Sequence, residues 1–377
     1  MSKNSTCFGP FSSWMEERAK TIRRPEDIPL SIAPLRKERD FFEHPRKEDL
    51  DFAVTPYYLS LIEEGDEDPI RRQCIPSIEE RRVLPWENAD PLQDLSHSPV
   101  ARLVHRYKDR TLLMVTDECA VYCRHCFRRH FSGGRRGGIG TSELSKVTEY
   151  LKNHSELSEL LLSGGDPLTL SDGKLQRILE EVRKARPGIV IRLASRLPVV
   201  LPARINKELT LMLRSFSPVY FVTQFNHPRE ITEKSAAAAA SLVEAGIPVL
   251  NQAVLLRGVN DNTAVLGELF RRLVALRVFP YYLLQGDLAA GTSHFRVPLS
   301  RGLEIVSELR GNLSGLAMPV YALDLPGGGG KVPLSENYLL GKREGVSPRG
   351  GSEKMEFFRF TSVEGGEFEY PEEKVNN

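Results

Sequence analysis

Three cysteines, Cys119, Cys123 and Cys126, fall within a run of eight residues, and their spacing is the strongest chemical signal in the chain. Three thiolates in a CxxxCxxC pattern can bind three of the irons in a cubane iron–sulfur cluster. The fourth iron would then have no protein ligand and could bind a reacting molecule. The spacing therefore predicts a [4Fe-4S] cluster that takes part in catalysis.

Two other interpretations of the cysteines stay open. A zinc site made of the three cysteines and His125 can be drawn, but adjacent residues rarely converge on one metal and no second pair of ligands is present. A disulfide framework is disfavoured, because five cysteines in 377 residues is a sparse and odd number, with Cys7 and Cys74 isolated near the start. A cluster is favoured over both.

Two glycine motifs stand at the ends of apolar runs. Ser163-Gly164-Gly165-Asp166 follows the run ELLLS, and the absence of side chains lets a backbone edge approach a ligand closely. The second motif, DLPGGGGK, ends at Lys331. It is not a phosphate-binding P-loop, because Leu325 and Val332 stand where Gly and Ser or Thr are required. It predicts an amine delivered into a pocket, able to form a Schiff base, although a solvated surface turn is the simpler reading of this motif alone.

Apolar runs alternate with helix-like stretches from Leu112 onward, at least six times. This repeat predicts an α/β fold with a parallel sheet, closed or partly closed into a barrel; an open doubly wound sheet is the alternative. In either fold, functional groups are expected at the carboxyl ends of the strands. We predict a mainly helical N-terminal region (1–104), a barrel core (105–341) and a charged, glycine-rich tail (342–377).

Composition limits the partners and the setting. The chain has 51 basic and 50 acidic residues, so the formal charge of +1 argues against a nucleic-acid partner bound by bulk electrostatics. No secretory signal pattern is visible at the start, and no apolar run reaches the roughly 18 residues needed to cross a bilayer. The sequence therefore predicts a cytoplasmic protein with no membrane partner.

The motifs together resemble a known family. DECAVYCRHCFRRHFSG, LLLSGGDPL and DLPGGGGKVP, with four further motifs between them, resemble the lysine 2,3-aminomutase family in the same order over roughly residues 85 to 345. The cysteine and glycine motifs also resemble the wider radical S-adenosylmethionine (SAM) superfamily. This resemblance implies three cofactors: a [4Fe-4S] cluster, SAM bound at its open iron, and pyridoxal 5′-phosphate (PLP) carried on Lys331. It also implies a radical-driven 1,2-shift of an amino group.

The resemblance assigns roles by motif position. It implies that Arg128 pairs with the substrate carboxylate and that Ser163, Gly164, Gly165 and Asp166, with Gln224, bind SAM. It places Arg106, Tyr107 and Arg196 around PLP, with Asn251 and Gln252 as weaker candidates for the same pocket. His125 is expected to pack near the cluster, and His227 is expected near the adenosyl group.

Substrate choice is predicted from two acids. Asp287 and Asp324 match positions where lysine-acting members carry a carboxylate pair for the distal ammonium, and two buried carboxylates favour a cationic ligand. We therefore expect L-lysine to be converted to β-lysine. Open alternatives are β-lysine made for elongation factor P, action on arginine or glutamate, and a non-catalytic iron–sulfur or zinc-binding protein. A flavodoxin- or ferredoxin-type electron donor and a homodimer are also expected, and the tail lacks the cysteines with which longer members bind zinc, so zinc is not expected.

Overall fold

A nine-stranded sheet forms the body of the protein in the computed structural model, which describes residues 11–63, 65–134, 136–335, 337–346, 354–362 and 365–372. Cys7 and parts of the tail lie outside these residues. Seven strands are parallel: β2 to β8, at Arg110–Thr116, Glu159–Gly164, Val190–Ala194, Val219–Thr223, Val249–Leu255, Phe279–Gln285 and Val320–Leu325. The apolar runs that alternate with helix-like stretches from Leu112 onward are therefore strands of this sheet.

The strand order decides between the two predicted architectures. The strands lie in sequence order, β1 (Leu103–Tyr107) through β9 (Gly330–Pro333), and the two edge strands pair antiparallel with their neighbours. A doubly wound sheet would reverse its order at a switch point, and this sheet does not. The sheet instead curves into a nearly closed barrel. The seam is bridged where the backbone N–H of Lys331 on β9 donates to the hydroxyl of Tyr107 on β1, at 2.9 Å.

Helices cover the outside of the barrel and connect consecutive strands. Their apolar faces are buried against the sheet, as the helical periodicity predicts. Several begin at side-chain caps: Asn206, Thr232 and Asn262 each accept a backbone N–H three residues on. Numbered from the first helix of the chain, they are α5 to α11, at Thr141–Asn153, Asp172–Ala185, Leu197–Val200, Lys207–Ser215, Glu233–Glu244, Thr263–Ala275 and Leu299–Asn312.

The residues before β1 form short helices joined by loops, α1 to α4, at Phe11–Ala19, Arg36–Glu43, Pro56–Leu59 and Pro69–Cys74. They pack against one side of the barrel through buried polar contacts as well as apolar ones. The Tyr58 hydroxyl donates to Glu230 at 2.6 Å, and Trp14 is covered by the Arg204 guanidinium. In the part of the chain that the structure describes, no helix is long and apolar enough to span a membrane.

A second sheet lies in the tail, where the sequence predicted no regular structure. Three antiparallel strands, β10 to β12, run over Leu339–Val346, Lys354–Thr361 and Glu367–Glu372. Phe357 is buried under the Arg343 guanidinium, whereas Phe368 and Tyr370 on the edge strand are exposed. Charged residues alternate with these aromatics, which is the pattern of strands with one face in water.

Candidate active site

One cavity of about 890 Å³ is enclosed by the strands of the barrel and the loops at their carboxyl ends. It is lined by Cys119, Cys123 and Cys126 and also by Lys331. Every other residue predicted for the site lines it too, apart from Asn251 and His227. The sequence separates the cysteines from the lysine by about two hundred residues, and the barrel brings them to the same space.

The cysteine loop leaves the end of β2 and is turned tightly, with the N–H of Cys126 donated to the carbonyl of Cys123 at 3.0 Å. Burial raises the pKa of the Cys119 and Cys126 thiols. Among the described residues, no three His, Cys, Asp or Glu side chains converge on a single point as one metal ion would require. Three thiols that each bind a different iron of a cubane need no such convergence.

Glu80 holds the cysteine loop in place through two arginines. Its carboxylate accepts from Arg124 at 2.8 and 2.6 Å and from Arg129 at 2.5 Å. Arg124 is fully buried and also donates to the backbone carbonyls of Leu50 and Asp51. We call Glu80, Arg124 and Arg129 the Glu80 cluster. Because Arg124 lies between Cys123 and Cys126 in the sequence, the Glu80 cluster connects the cysteine loop to the N-terminal region.

The glycines at the end of β3 are required by the neighbouring backbone. A Cβ on Gly164 would lie 2.4 Å from the Thr116 carbonyl oxygen, and one on Gly165 would lie 2.3 Å from that of Glu118. The predicted reason for these glycines, close approach to a ligand, is therefore incomplete, because they first let β3 lie against the start of the cysteine loop. Asp166 turns away to accept from Ser195 and from the backbone of Arg196 and Leu168. Burial raises its pKa to about 6.

Lys331 lies on β9, directly after the glycine turn. Gly327, Gly328 and Gly330 have φ of 71°, 79° and 84°, values that side chains disfavour, so the run has a defined shape and not merely flexibility. The Lys331 ammonium forms a short ion pair with Asp324, its antiparallel partner, and lies 5.4 Å from the Tyr282 ring. The turn thus presents the amine to the cavity.

Asp287 and Asp324 both line the cavity near Lys331. Burial, with the negative charge of Asp324 adding to it, raises the pKa of Asp287 to about 7, against the opposing effect of Lys331 and two arginines. Within the described residues, Asp287 Oδ1 is buried without a hydrogen-bond partner. A second cavity, of about 390 Å³, lies against the same two acids and is mostly lined by apolar side chains. The acid pair therefore has room on both sides.

Positively charged side chains line the other walls. Arg106 and Arg128 share the buried carboxylate of Asp94. Arg110 and Arg192 also line the cavity, near the amino ends of β2 and β4, with Arg110 stacked 3.8 Å from the Tyr107 ring centroid. Neither arginine was predicted from the sequence, because functional groups were expected only at the carboxyl ends of the strands. The signal was present in IVIRLA, where an arginine interrupts an apolar strand.

The structure places three predicted residues differently from the sequence. β6 alternates, so Gln252 faces the cavity while Asn251 is buried on the other face, its amide bonded both ways to the Phe225 backbone. His227 caps a short helix outside the cavity, accepting from the Arg229 N–H. Arg196 lines the cavity at the cysteine end, donating to Cys123 Sγ at 2.6 Å and to Glu230 at 2.7 Å, rather than at the lysine end.

His125 and Gln224 do meet at the cysteine end, as their predicted positions imply. The His125 Nε2 lies 3.2 Å from the Gln224 amide nitrogen and 3.4 Å from that of Asn226. Burial and the nearby positive charge of Arg196 lower the pKa of His125 well below its ordinary value, so the ring is neutral and accepts these hydrogens.

The residues present fit the implied cofactors. The three thiols face one cavity large enough for a further ligand beside a cluster. Arg106 Nε is buried and, in the described part of the chain, unpartnered, as is Asp287 Oδ1. Buried polar groups are normally hydrogen-bonded, and these two atoms fit the implied groups, since Arg106 Nε could donate to an anion and Asp287 Oδ1 could accept from a cation.

Comparison with known proteins agrees with this site. The family model for the radical SAM superfamily matches residues 113–267, which include the cysteine loop and the glycine motif. Together with the barrel and the three thiols, this match defines a radical SAM enzyme. A second model, described as lysine-2,3-aminomutase, matches residues 306–346, which include Lys331.

Relatives identify the family. L-lysine 2,3-aminomutase of Clostridium subterminale is 44% identical over 331 residues, covering 88% of this chain and 79% of the relative. The enzyme of the same name from Bacillus subtilis is 41% identical, covering 88% and 70%. Glutamate 2,3-aminomutase of Clostridioides difficile is 40% identical, covering 77% and 69%. The chain belongs to the lysine 2,3-aminomutase family. It is an aminomutase, an isomerase that uses a [4Fe-4S] cluster, SAM and PLP on an amino acid substrate.

Proposed function

We propose that this protein converts L-lysine to β-lysine by moving the α-amino group to the β-carbon. The observation that supports this most is the single cavity that contains the three cysteines, Lys331 and the acid pair. The cysteines would hold the cluster and Lys331 would hold PLP, and both groups would have to act on one substrate, so the residues that hold them have to share one enclosed space. When bound, the cofactors supply hydrogen abstraction and a π-system through which the nitrogen migrates.

At the cysteine end, Cys119, Cys123 and Cys126 would hold the cluster, and Gln224 and the β3 glycine motif line the adjoining wall where SAM would bind. The Glu80 cluster fixes the loop that carries the thiols. The protein's contribution here is position, because the cubane and SAM carry the reactive chemistry themselves.

At the lysine end, Lys331 would carry PLP. The ring would lie near Tyr107, whose hydroxyl already accepts the Lys331 N–H, and the phosphate would lie among Arg106, Arg110 and Arg192. Guanidinium groups match phosphate geometry and keep their charge when buried. In this arrangement the phosphate would lie toward the amino ends of the strands, where Arg110 is found.

The substrate would be held at both ends. Arg128 donates its Nε to Asp94, which leaves its two terminal nitrogens for the substrate carboxylate. Asp287 and Asp324 would bind the side-chain ammonium. In the free protein Asp324 Oδ2 accepts from Lys331 Nζ. Asp324 would therefore balance the charge of either Lys331 or the substrate ammonium, and Asp287 would supply the second carboxylate for the substrate.

The acid pair also argues against the main alternative. A glutamate side chain would place a third carboxylate beside Asp287 and Asp324, and burying like charges together is strongly unfavourable. Arginine carries a cation but a longer, planar head group, so the second cavity behind the acids is what an arginine substrate would need. Lysine requires no extra space, and we favour it whether the β-lysine stays free or is later attached to a protein.

The test is anaerobic reconstitution with iron, sulfide, PLP, SAM and a chemical reductant, followed by incubation with lysine, arginine or glutamate singly. We expect β-lysine by mass spectrometry from lysine alone. Cys123→Ala should abolish turnover with loss of iron, whereas Lys331→Ala should keep the iron but lose the visible absorption of bound PLP. Turnover of glutamate in place of lysine would contradict the proposal.

We further propose the setting in which the enzyme works. The cluster needs one electron, so a flavodoxin- or ferredoxin-type donor is required, and the free thiols of Cys74 and the cysteine loop suit a reducing cytoplasm. We also propose a homodimer. Light scattering of the reconstituted protein tests the dimer, and replacing the chemical reductant with purified flavodoxin tests the donor.

A further inference from the structure

Asp94 occupies an unusual place between two arginines that serve different ligands. Its side chain is 3% exposed. Oδ1 accepts from Arg106 Nη2 at 3.1 Å, and Oδ2 accepts from Arg128 Nε at 2.7 Å. The three residues come from three segments: the loop before β1, β1 itself and the cysteine loop. One buried carboxylate therefore joins the arginine proposed for PLP to the arginine proposed for the substrate.

Asp94 is itself held firmly. Its backbone N–H donates to Asp90 at 3.0 Å, and its carbonyl accepts from the Ser98 hydroxyl at 2.7 Å. Burial alone would raise the pKa of Asp94, but Arg128 and Arg106 outweigh it and hold that pKa below its ordinary value. The carboxylate is therefore charged whenever the enzyme works near neutral pH, and its two oxygens have fixed directions.

Each arginine is oriented by this contact. Arg128 gives Asp94 its Nε and packs 4.6 Å from the Phe127 ring, so only its terminal nitrogens point to the cavity. Arg106 donates from one terminal nitrogen, Nη2, to both Asp94 and the Leu92 carbonyl. Its Nε has no partner among the described residues. The two guanidiniums repel one another, and the shared carboxylate is what keeps them close.

We infer that Asp94 is a positioning residue that sets the distance between the substrate carboxylate and the PLP phosphate by fixing Arg128 and Arg106 to one another. The inference rests on the proposed function, because it takes the two arginine roles from there. Amino migration needs the substrate nitrogen and β-carbon aligned with the PLP ring, and a misplacement of about 1 Å can reduce a rate about 100-fold. Asp94 touches neither ligand and acts only through the arginines.

The signature of this role is a loss of alignment without a loss of positive charge. In Asp94→Asn both guanidiniums remain, so attraction for the substrate carboxylate persists while its direction is lost. We expect kcat for lysine to fall about 10- to 100-fold and KM for lysine to rise at least about fivefold, because a misdirected Arg128 binds the substrate carboxylate less well. Preference for lysine over lysinamide, which lacks the carboxylate, should fall at least fivefold when binding is measured on PLP-loaded protein without SAM.

A matched control separates position from stability. Asp172 is the acidic partner of Arg204, another fully buried arginine, and neither residue lines the cavity. Asp172→Asn should lower the melting temperature, as Asp94→Asn does, while leaving kcat and the lysine to lysinamide preference within twofold of the unaltered enzyme. Iron content and PLP loading are measured for both variants. Equal losses of preference in the two variants would overturn the inference.

Two further variants close the test. In an Arg128→Gln background, Asp94→Asn should cost little additional preference for lysine over lysinamide, because the effect passes through Arg128. If Asp94→Asn does not fold, Asp94→Glu keeps the charge but displaces the oxygens by one methylene and should still reduce kcat. Unaltered kcat in Asp94→Glu would overturn the positioning role, and charge compensation would be the only role left for Asp94. Failure of the proposed function itself would be seen separately, as absence of lysine turnover in the unaltered enzyme.

Discussion

Two groups of buried acids lie at the site, one against the arginines of the cysteine loop and one lining the cavity, and they differ in how completely they are paired. Glu80 is surrounded: both its oxygens accept from arginines, and these outweigh the effect of burial and lower its pKa. Asp287 is the reverse, since Oδ1 has no partner among the described residues and burial beside Asp324 raises its pKa to about 7. Within one site, both oxygens of Glu80 are therefore paired with arginines, whereas one oxygen of Asp287 is unpaired among the described residues.

This difference in pairing distinguishes acids that hold a loop in place from acids that bind a ligand. A buried carboxylate that has its cations already can fix a loop, because breaking it exposes uncompensated charge. A buried carboxylate that lacks its cation is unfavourable in the free protein and becomes favourable only when a ligand supplies the charge. Asp94 belongs with Glu80 in this respect, because its arginines are both in place. Asp287, by contrast, has an oxygen without a partner among the described residues, and it is the acid left for the substrate.

The largest effect is expected from Glu80→Gln. This change leaves Arg124 and Arg129 without their shared counter-charge, and Arg124 is fully excluded from solvent. Breaking a buried pair costs about 3–5 kcal/mol. We expect that loss in denaturant unfolding, with reduced iron after reconstitution because the cysteine loop is no longer fixed. Arg129→Gln should cost less, since Arg124 still neutralises Glu80. A Glu80→Gln protein as stable as the unaltered one would show that the complete cluster has no structural role.

Asp287→Asn should act in the opposite direction on stability. Removing an unpaired buried charge is expected to leave the free protein at least as stable, while kcat/KM for lysine falls roughly 30- to 3,000-fold, the equivalent of about 2–5 kcal/mol for losing one partner of a buried charge pair. Norleucine, which has no side-chain ammonium, is the matched ligand: its binding should not weaken. If lysine and norleucine lose equally, Asp287 does not recognise the ammonium.

The raised pKa of Asp287 predicts a pH dependence. Below about pH 7 the carboxyl is protonated in the free enzyme and cannot accept the ammonium as an anion, so lysine binding must release a proton. The apparent affinity for lysine should therefore fall with decreasing pH, by at most tenfold per pH unit, and level off above pH 7. Titrations on PLP-loaded protein without SAM measure this. In Asp287→Asn the slope should disappear, and an unchanged slope would assign the titration to another group.

Much of the fold could be predicted because its signals are local. The apolar strand runs and the longer intervening helices were identifiable, whereas the short helix α7 was not. Sequential strand order follows from repeated strand–helix units. The sheet β10 to β12 could not be predicted in the same way. Its strands mix charges with exposed aromatics, so their pairing depends on contacts between strands and not on a buried run.

Within the site, motifs identified residues but not the directions of their side chains. Asn251 and Gln252 are neighbours on β6 and point to opposite faces, which the period-two alternation of a strand already implies. Arg196 follows β4 as predicted, yet its guanidinium reaches Cys123 and Glu230, a choice that depends on tertiary neighbours. Asp94 carried no motif at all, and only the meeting of three segments brings it between Arg106 and Arg128.

The smallest effect on the free energy of unfolding is expected for an ion pair that is exposed to solvent. Arg301 and Glu304 lie 3.0 Å apart on α11 with side chains 42% and 61% exposed. Arg301→Gln should change the free energy of unfolding by less than about 0.5 kcal/mol, because an exposed pair one helical turn apart gains little over its hydration. Denaturant unfolding beside Glu80→Gln makes the contrast direct. If Arg301→Gln lowered the free energy of unfolding as much as Glu80→Gln, burial would not determine the cost of a missing counter-charge. The distinction between paired and unpaired acids would then lose its physical basis.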